Sequence, residues 1–331
     1  MDETLKIESL HTSFISDYGS TKVLEDVSLS IKQSEVLALV GESGSGKTVT
    51  SLSIMGLLPP NGKIDQGKIT LLSKKNEELD ILELSESKFN KVRGNDVSMI
   101  FQEPMTCLNP TMTIGSQIKE VILNHKKISN KDAYQSMINL LKLVEIPEPE
   151  QRAEEYPHQL SGGMRQRIMI SIALACEPKL IIADEPTTAL DVTIQAQLLE
   201  LLKRLKNSVV NKTSILFVTH NLGIVREIAD RIIVMYAGTI VEEGTVDEVF
   251  NKPLHPYTKG LIQSLPEFNI EHNKKIQPIR GSIPNMNNLP SGCHFHPRCD
   301  FATENCKINK PNLEIIINDR KSRCFEFRKL M

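Results

Sequence analysis

The chain has 331 residues, 40% hydrophobic and 24% charged, which is enough to bury a core and to leave room for a smaller appendage. Its 39 Lys and Arg against 41 Asp and Glu leave a net charge of −2, so no overall positive field favours nucleic acid as a partner. No apolar run approaches the roughly 18 residues of a membrane-spanning helix, the first residues lack the layout of a signal peptide, and we expect a cytosolic chain.

Residues 21–40 predict short strands broken by turns, and the apolar run 36–40 predicts a strand buried on both faces. Residues 41–48, Gly-Glu-Ser-Gly-Ser-Gly-Lys-Thr, then fit the phosphate-loop pattern G-x-x-x-x-G-K-[ST] at every fixed position. The glycines let backbone N–H groups converge on phosphate, Lys47 reaches the terminal phosphates, and the Thr48 hydroxyl is available to Mg²⁺. An apolar helix is predicted to follow over 49–58.

A second strand, predicted at residues 97–101, is followed by Gln102. An amide at a strand end can ligate Mg²⁺ or orient an attacking water, although taken alone a polar strand end is the simpler interpretation. Helix-spaced apolar residues over 112–146 predict a helical subdomain inserted between two parts of the core.

Residues 160–167, Leu-Ser-Gly-Gly-Met-Arg-Gln-Arg, open the next predicted helix. Ser161 is the predicted N-cap, so Gly162 and Gly163 expose backbone N–H groups at the positive end of that helix. An ordinary capped helix needs no glycine pair at this point. The motif therefore indicates a second phosphate-facing surface, which this chain's own nucleotide need not use.

The apolar strand predicted at residues 180–183 ends in Asp184 and Glu185. Because neighbouring side chains alternate across a strand, one carboxylate can support Mg²⁺ while the other activates water. A further strand at 214–219 delivers His220, a residue type that at such a position is more often structural than catalytic. Residues 230–244 predict a closing hairpin.

Taken in order, these motifs closely resemble those of the ATP-binding subunits of ABC transporters, over about residues 5–250. The resemblance implies an α/β fold, with a RecA-like P-loop ATPase core, an antiparallel β subdomain and a helical subdomain at about 106–160. It also implies that two such subunits enclose two ATP molecules head to tail. Each ATP then lies between the phosphate loop of one subunit and residues 160–167 of the other.

The resemblance also implies roles for individual residues. Glu185 is the expected general base, His220 the switch histidine and Gln102 the Q-loop residue. Mg²⁺ is expected at Thr48, Gln102 and Asp184. The residues implied to contact nucleotide, stack on adenine or couple the two sites are Tyr18, Gly41, Ser43, Gly44, Ser45, Gly46, Lys47, Thr48, Gln102, Ser161, Gly162, Gly163, Asp184 and Asp191.

Met164, which stands where the commonest form of the motif has Gln, is typical of the oligopeptide and dipeptide importers of this family. Residues 252–258 and 292–299 resemble the HPYT segment and the cysteine motif of the ATPases of these importers. We therefore predict a nucleotide-binding domain at 1–250 and an extension at 251–331. Nickel or metallophore importers share much of the pattern and remain an alternative. A soluble ABC ATPase acting on ribosomes or DNA is a more distant one.

An importer of this kind implies a set of partners. They are a second ABC ATPase subunit, expected to be a related paralogue, two transmembrane permease subunits and an extracytoplasmic peptide-binding protein, with no nucleic acid. The expected location is peripheral, at the cytoplasmic face of the cell membrane.

Four of the six cysteines, Cys293, Cys299, Cys306 and Cys324, lie in the extension. In a cytosolic protein such a group indicates metal, but the spacing alone leaves Zn²⁺, an iron–sulfur cluster and free thiols open. Resemblance to the peptide importers favours a [4Fe–4S] cluster held by all four cysteines, with Zn²⁺ as the alternative. We expect such a cluster to act as a staple for a small extension that is poor in apolar residues.

Overall fold

The computed structural model describes residues 3–17, 19–103, 107–188, 192–206, 213–265 and 278–330. The chain divides into two compact units. The first comprises Met1–Leu5, Ile31–Ser34 and Thr70–Leu216, and the second comprises Lys6–Ser30, Glu35–Ile69 and Phe217–Met331.

The described strands and helices alternate along most of the chain, as expected for an α/β protein. The strands are β1 (Glu3–Ser16), β2 (Gly19–Lys32), β3 (Val36–Val40), β4 (Gly62–Leu72), β5 (Glu78–Asp80), β6 (Val97–Ile100), β7 (Leu180–Asp184), β8 (Ser214–Thr219), β9 (Arg231–Tyr236), β10 (Thr239–Thr245), β11 (Glu314–Ile317) and β12 (Arg320–Ser322). The α-helices are α1 (Lys47–Met55), α2 (Glu86–Val92), α3 (Ile114–His125), α4 (Asn130–Leu143), α5 (Pro149–Arg152), α6 (Gly162–Leu174), α7 (Val192–Lys206), α8 (Leu222–Ile228), α9 (Val246–Asn251), α10 (Pro256–Gln263) and α11 (Glu304–Ile308). No helix in the described ranges is both long and apolar enough to cross a membrane.

In the first unit, β6 and β7 are parallel neighbours, with Val97 opposite Leu180 and Ile100 opposite Ala183. Every residue of both strands is buried, which explains their uninterrupted apolar sequence. Helices α3 and α4 pack on each other and on α6. The helical structure predicted for 112–146 is therefore confirmed in the described chain, and the Thr113 and Ser129 side chains cap the two helices.

In the second unit, the strand order is β11-β12-β10-β9-β3. Strand β9 is parallel to β3, and the other neighbours are antiparallel. The predicted hairpin is β9 and β10, joined by a turn at Ala237 and Gly238 with positive φ angles of 44° and 77°. The sheet is therefore mixed, with its parallel pair next to the phosphate loop that follows β3.

Two elements differ from the sequence prediction. Strand β2 is one continuous strand of 14 residues, whereas short pieces were expected. Helix α1 ends at Met55, three residues before the predicted end at Leu58, because Gly56 takes the left-handed conformation with φ 59°.

The described C-terminal segment, residues 251–265 and 278–330, packs into the second unit through an aromatic cluster of Tyr236, Tyr257 and Phe295, each at most 3% exposed. Ring centroids in this cluster lie 4.7 to 5.4 Å apart. Glu242 of β10 is fully buried beneath it and accepts hydrogen bonds from the backbone of residues 254 and 255 at 2.7 and 2.9 Å. Arg320 lies 3.2 Å from the same carboxylate, so its charge is paired.

The iron–sulfur prediction is wrong for this structure, and so is its Zn²⁺ alternative. The described residues contain no group of three or more His, Cys, Asp or Glu side chains that could hold a metal ion. Cys293, Cys299, Cys306 and Cys324 instead line a cavity of about 10 Å³, which is room for one water molecule at most. Burial raises the pKa of Cys293 to about 11 and that of Cys324 to about 12. Apolar packing, including Phe295, holds this segment in place.

Buried His255 is expected to make stability depend on pH. Its Nδ1 accepts a hydrogen bond from Tyr257 N at 3.1 Å, and burial, assisted by the charge of Arg323, lowers the pKa of His255 from 6.5 to about 3. Between these values the unfolded chain binds more protons, so stability that is present above pH 6.5 is lost as the pH falls. Urea unfolding should show a loss of about 1.4 kcal/mol per pH unit below pH 6.5.

The matched variant is His255→Asn, which keeps an acceptor at the helix N-cap but does not titrate in this range. We expect the free energy of unfolding of this variant to fall less steeply below pH 6.5 than that of the parent chain, by about 1.4 kcal/mol per pH unit. Parallel curves for the two proteins between pH 7 and pH 5 would rule out the role given to His255.

Candidate functional site

The phosphate loop, residues 41–48, has the curled backbone that its sequence predicts. A Cβ on Gly41 would lie 2.3 Å from the carbonyl oxygen of Met235, so no other residue fits there without a shift of backbone. Lys47 is 5% exposed, and its Nζ donates to the carbonyl oxygens of Gly41 and Glu42 at 2.8 and 3.1 Å. The lysine ammonium group is therefore held over the loop backbone.

The loop also presents polar groups suited to phosphate. Ser45 Oγ is buried and has no hydrogen-bond partner in the described structure, a costly state that a phosphate oxygen would relieve. Ser43 and Gly44 at the tip and Thr48 at the start of α1 are exposed, and no described atom lies within 4 Å of a Cβ built on Gly44. The residues present fit a nucleotide phosphate chain.

The acidic strand end brings Gln102 and Glu185 together. The parallel register of β6 and β7 pairs Ile100 with Ala183, and two residues further on Gln102 Nε2 donates to Glu185 Oε2 at 3.3 Å. Thr188 Oγ1 donates to the same oxygen at 3.0 Å. Gln102 and Thr188 therefore both donate to one oxygen of the Glu185 carboxylate.

Asp184 and Glu185 differ sharply in environment. Asp184 is the last residue of β7 and is 1% exposed, whereas Glu185 is partly exposed. Glu185 has φ 46°, a left-handed conformation that is strained for a residue with a Cβ. The regular alternation of side chains along β7 therefore does not continue through Glu185. Such strain is common at functional sites, where the surrounding structure holds it.

Ser161 and Gly162 are exposed at the start of α6, whereas Gly163 is partly buried beside Ile194. The Ser161 side chain accepts a hydrogen bond from Met164 N at 3.3 Å, which confirms the N-cap. A Cβ built on Gly162 meets no described atom within 4 Å. The helix start therefore borders open space at Gly162.

The remaining predicted residues are not all visible. His220 is exposed directly after β8, where Asn221 caps α8 by accepting a hydrogen bond from Gly223 N at 3.0 Å. Tyr18 and Asp191 lie outside the described residues, so their predicted contacts have no structural account.

Sequence reasoning missed two contacts. Gln166 Nε2 donates to the carbonyl oxygen of Pro186 at 2.9 Å, which ties the helix of the glycine-pair motif to the segment after the acidic strand. Glu42, a variable position of the phosphate-loop pattern, is held by Tyr257 and Arg298 of the C-terminal segment. The pattern gives no signal for either contact, because each joins residues at least 20 positions apart.

Comparison with known families matches two regions. Residues 24–188 match the family described as ABC transporter. Residues 241–306 match the family described as the C-terminal region of oligopeptide/dipeptide transporters.

Full-length relatives are similar over almost the whole chain. An oligopeptide transport ATP-binding protein of Bacillus subtilis is 51% identical over 329 residues, covering 99% of this chain and 98% of the relative. A dipeptide transport ATP-binding protein of the same organism is 48% identical over 98% of this chain and 95% of the relative. Among solved structures, a dimeric ATP-binding cassette bound to ADP and Pi in a post-hydrolysis state superimposes with a TM-score of 0.64 at 28% identity, covering 73% of this chain and 98% of that one.

Proposed function

This chain belongs to the ABC transporter family as an ATP-binding subunit of the oligopeptide/dipeptide importers, and on that premise we propose which of its residues bind ATP, hydrolyse it and contact a second subunit. It is an ATPase with the fold of the ABC cassette, an α/β fold with mixed sheets. As the ATP-binding subunit of a peptide importer it works peripherally, at the cytoplasmic face of the membrane. Its hydrolysis of ATP drives import of peptides.

ATP is bound through the phosphate loop in this proposal. The buried Lys47 ammonium group and the amides of residues 43–48 surround the phosphates, and Ser45 Oγ gains the partner that it lacks. Thr48, Gln102 and Asp184 supply a hydroxyl, an amide and a carboxylate, the oxygen ligands that Mg²⁺ prefers. Bound Mg²⁺ would neutralise negative charge on the phosphate oxygens.

Glu185 is the general base. The observation that carries this assignment is the shared hydrogen bonding of its Oε2 atom by Gln102 and Thr188, at 3.3 and 3.0 Å. These donors fix the position of the Glu185 carboxylate, which takes a proton from the attacking water. His220, exposed after β8, is proposed as the switch histidine of the same reaction.

Ser161, Gly162 and Gly163 are proposed to face the ATP of a second ATPase subunit. Their support is the exposed start of α6 with open space beside Gly162. Asp191 and Tyr18 are proposed, from the family resemblance alone, for coupling of the two sites and for adenine stacking.

The full importer has permease and binding-protein partners, as its relatives imply. We propose that the second ATPase subunit is a related paralogue. We further propose that residues 1–250 form the nucleotide-binding domain with a RecA-like core, an antiparallel β subdomain and a helical subdomain at about 106–160, and that 251–331 form the extension. The packing of α3 and α4 on α6 supports the helical subdomain, and the match of residues 241–306 to the C-terminal region of oligopeptide/dipeptide transporters supports the extension.

Reconstitution tests the transport assignment. The chain is combined in proteoliposomes with its two permeases and the second ATPase subunit, and the binding protein is added outside, loaded with peptide or with Ni²⁺. We expect peptide uptake that requires ATP inside, and ATP hydrolysis stimulated several-fold by the peptide-loaded binding protein. Accumulation of Ni²⁺ without peptide uptake would favour the nickel importer instead.

A further inference from the structure

Every polar group of Glu42, the second residue of the phosphate loop, has a partner. Its backbone N–H donates to the Tyr257 hydroxyl at 2.9 Å. The two terminal nitrogens of Arg298 donate to its two carboxylate oxygens at 2.8 and 3.1 Å. Its carbonyl oxygen accepts from Lys47 Nζ at 3.1 Å. Two residues of the C-terminal segment thus hold a loop residue more than 200 positions earlier in the chain.

Both holding residues are themselves fixed. Tyr257 is fully buried and Arg298 is 8% exposed. The Arg298 guanidinium lies 5.7 and 5.9 Å from the ring centroids of Tyr236 and Phe295, and its Nε donates to the carbonyl oxygen of Arg280 at 2.8 Å. Because these contacts hold the planar Arg298 guanidinium in place, its two parallel donors fix the position of the Glu42 carboxylate.

The Arg298–Glu42 pair is shielded from solvent on one side only. The Arg298 side chain is 5% exposed and that of Glu42 is 32% exposed. Burial opposes the Arg298 charge, but hydrogen bonds to Glu42 and Tyr236 outweigh it and raise the pKa of Arg298. Because the Arg298 side chain is buried, the pair is stronger than a pair on an open surface.

We propose that Tyr257 and Arg298 are positioning residues of the ATP site, through which the C-terminal segment holds the phosphate loop in its nucleotide-binding shape. They act through Glu42. Tyr257 keeps the Glu42 N–H turned away from phosphate, and Arg298 keeps the Glu42 carbonyl oxygen beside Lys47. The proposal rests on residues 41–48 being the ATP phosphate site.

Two conservative variants test this in the full-length chain. Tyr257→Phe removes only the hydroxyl, and Arg298→Lys keeps the charge but loses the bidentate geometry. We expect the KM for ATP to rise about 10-fold in each, the effect of losing one charged or tightly held hydrogen bond. The kcat at saturating ATP should change less than the KM, because the contact acts on loop shape and hence on nucleotide binding.

Matched controls separate positioning from stability. Arg320→Lys and Arg323→Lys alter two other buried arginines of the same segment, which pair with Glu242 and Asp26 rather than with Glu42. If Tyr257 and Arg298 position the loop, Tyr257→Phe and Arg298→Lys must raise the KM for ATP more than control variants whose thermal midpoint falls by the same amount. A rise that tracks the thermal midpoint across all four variants, or an unchanged KM, overturns it.

Glu42→Gln provides a second measurement, because Glu42 is partly exposed and its substitution leaves the cluster intact. Combined with Arg298→Lys it should raise the KM little beyond either single change, since both break one contact. Additive effects contradict the proposal. Lys47→Ala tests the premise separately, because retention of ATP binding by that variant would refute the phosphate-loop assignment itself.

Discussion

Glu185→Gln is expected to lower ATP turnover by about 100- to 10,000-fold while leaving ATP binding intact, because the amide cannot take a proton from water. The shape of the side chain is unchanged, and the Thr188 hydroxyl at 3.0 Å still finds an oxygen acceptor. With hydrolysis blocked, the ATP-bound dimer should accumulate. Steady-state ATPase assays at saturating ATP, and size-exclusion chromatography with and without ATP, measure the two effects.

Two companion variants make this result specific. Glu200→Gln removes a carboxylate from the exposed face of α7 and should leave turnover unchanged. Gly162→Asp, added to Glu185→Gln, should prevent the dimer without loss of folding, because open space surrounds Gly162 and a negative charge favours a helix N-terminus but repels a partner's phosphate. Near-normal turnover by Glu185→Gln, or dimers that tolerate Gly162→Asp, would contradict the assigned roles.

Lys47→Ala is expected to weaken ATP binding by about 100-fold, which corresponds to roughly 3 kcal/mol for a charge-assisted contact to phosphate. The ammonium group is 5% exposed and already held at 2.8 Å from the Gly41 carbonyl oxygen, so little reorganisation precedes binding. Equilibrium titration with a fluorescent ATP analogue gives the dissociation constant directly.

Lys88→Ala, on the exposed side of α2, is the matched loss of a lysine and should leave ATP affinity unchanged. The thermal midpoint of Lys47→Ala without nucleotide should fall only modestly, whereas the increase in midpoint on adding ATP should disappear. An ATP-induced increase of normal size in Lys47→Ala would show that the phosphates bind elsewhere.

Much of the nucleotide site could be predicted from sequence because its parts are contiguous. Residues 41–48, 160–167 and 180–185 each combine a local backbone requirement with a side-chain chemistry. A glycine run can therefore be recognised without knowing its neighbours. The predicted N-cap at Ser161 and the strand before Asp184 were confirmed for this reason. The extent of β2 and the end of α1 at Gly56 were missed, because local turn and cap signals competed there.

The cysteines show where residue spacing misleads. Four thiols in one short segment predicted a bound metal, but the described residues contain no group of His, Cys, Asp or Glu side chains that could hold one. Whether side chains converge on a metal depends on the folded packing, which residue spacing does not contain. Aromatic packing around Phe295 provides the support that a cluster was expected to give.

The sequence by itself determined the motifs of this protein: a phosphate loop, a carboxylate strand, a glycine pair at a helix start and a peptide-importer tail, each encoded by neighbouring residues. Only the tertiary structure decided how these parts are held. It placed Gln102 on Glu185 through the register of two strands, and it brought Tyr257 and Arg298 onto Glu42. The physical reason is that a motif's chemistry is local, whereas hydrogen-bond geometry and burial depend on residues that only folding brings together.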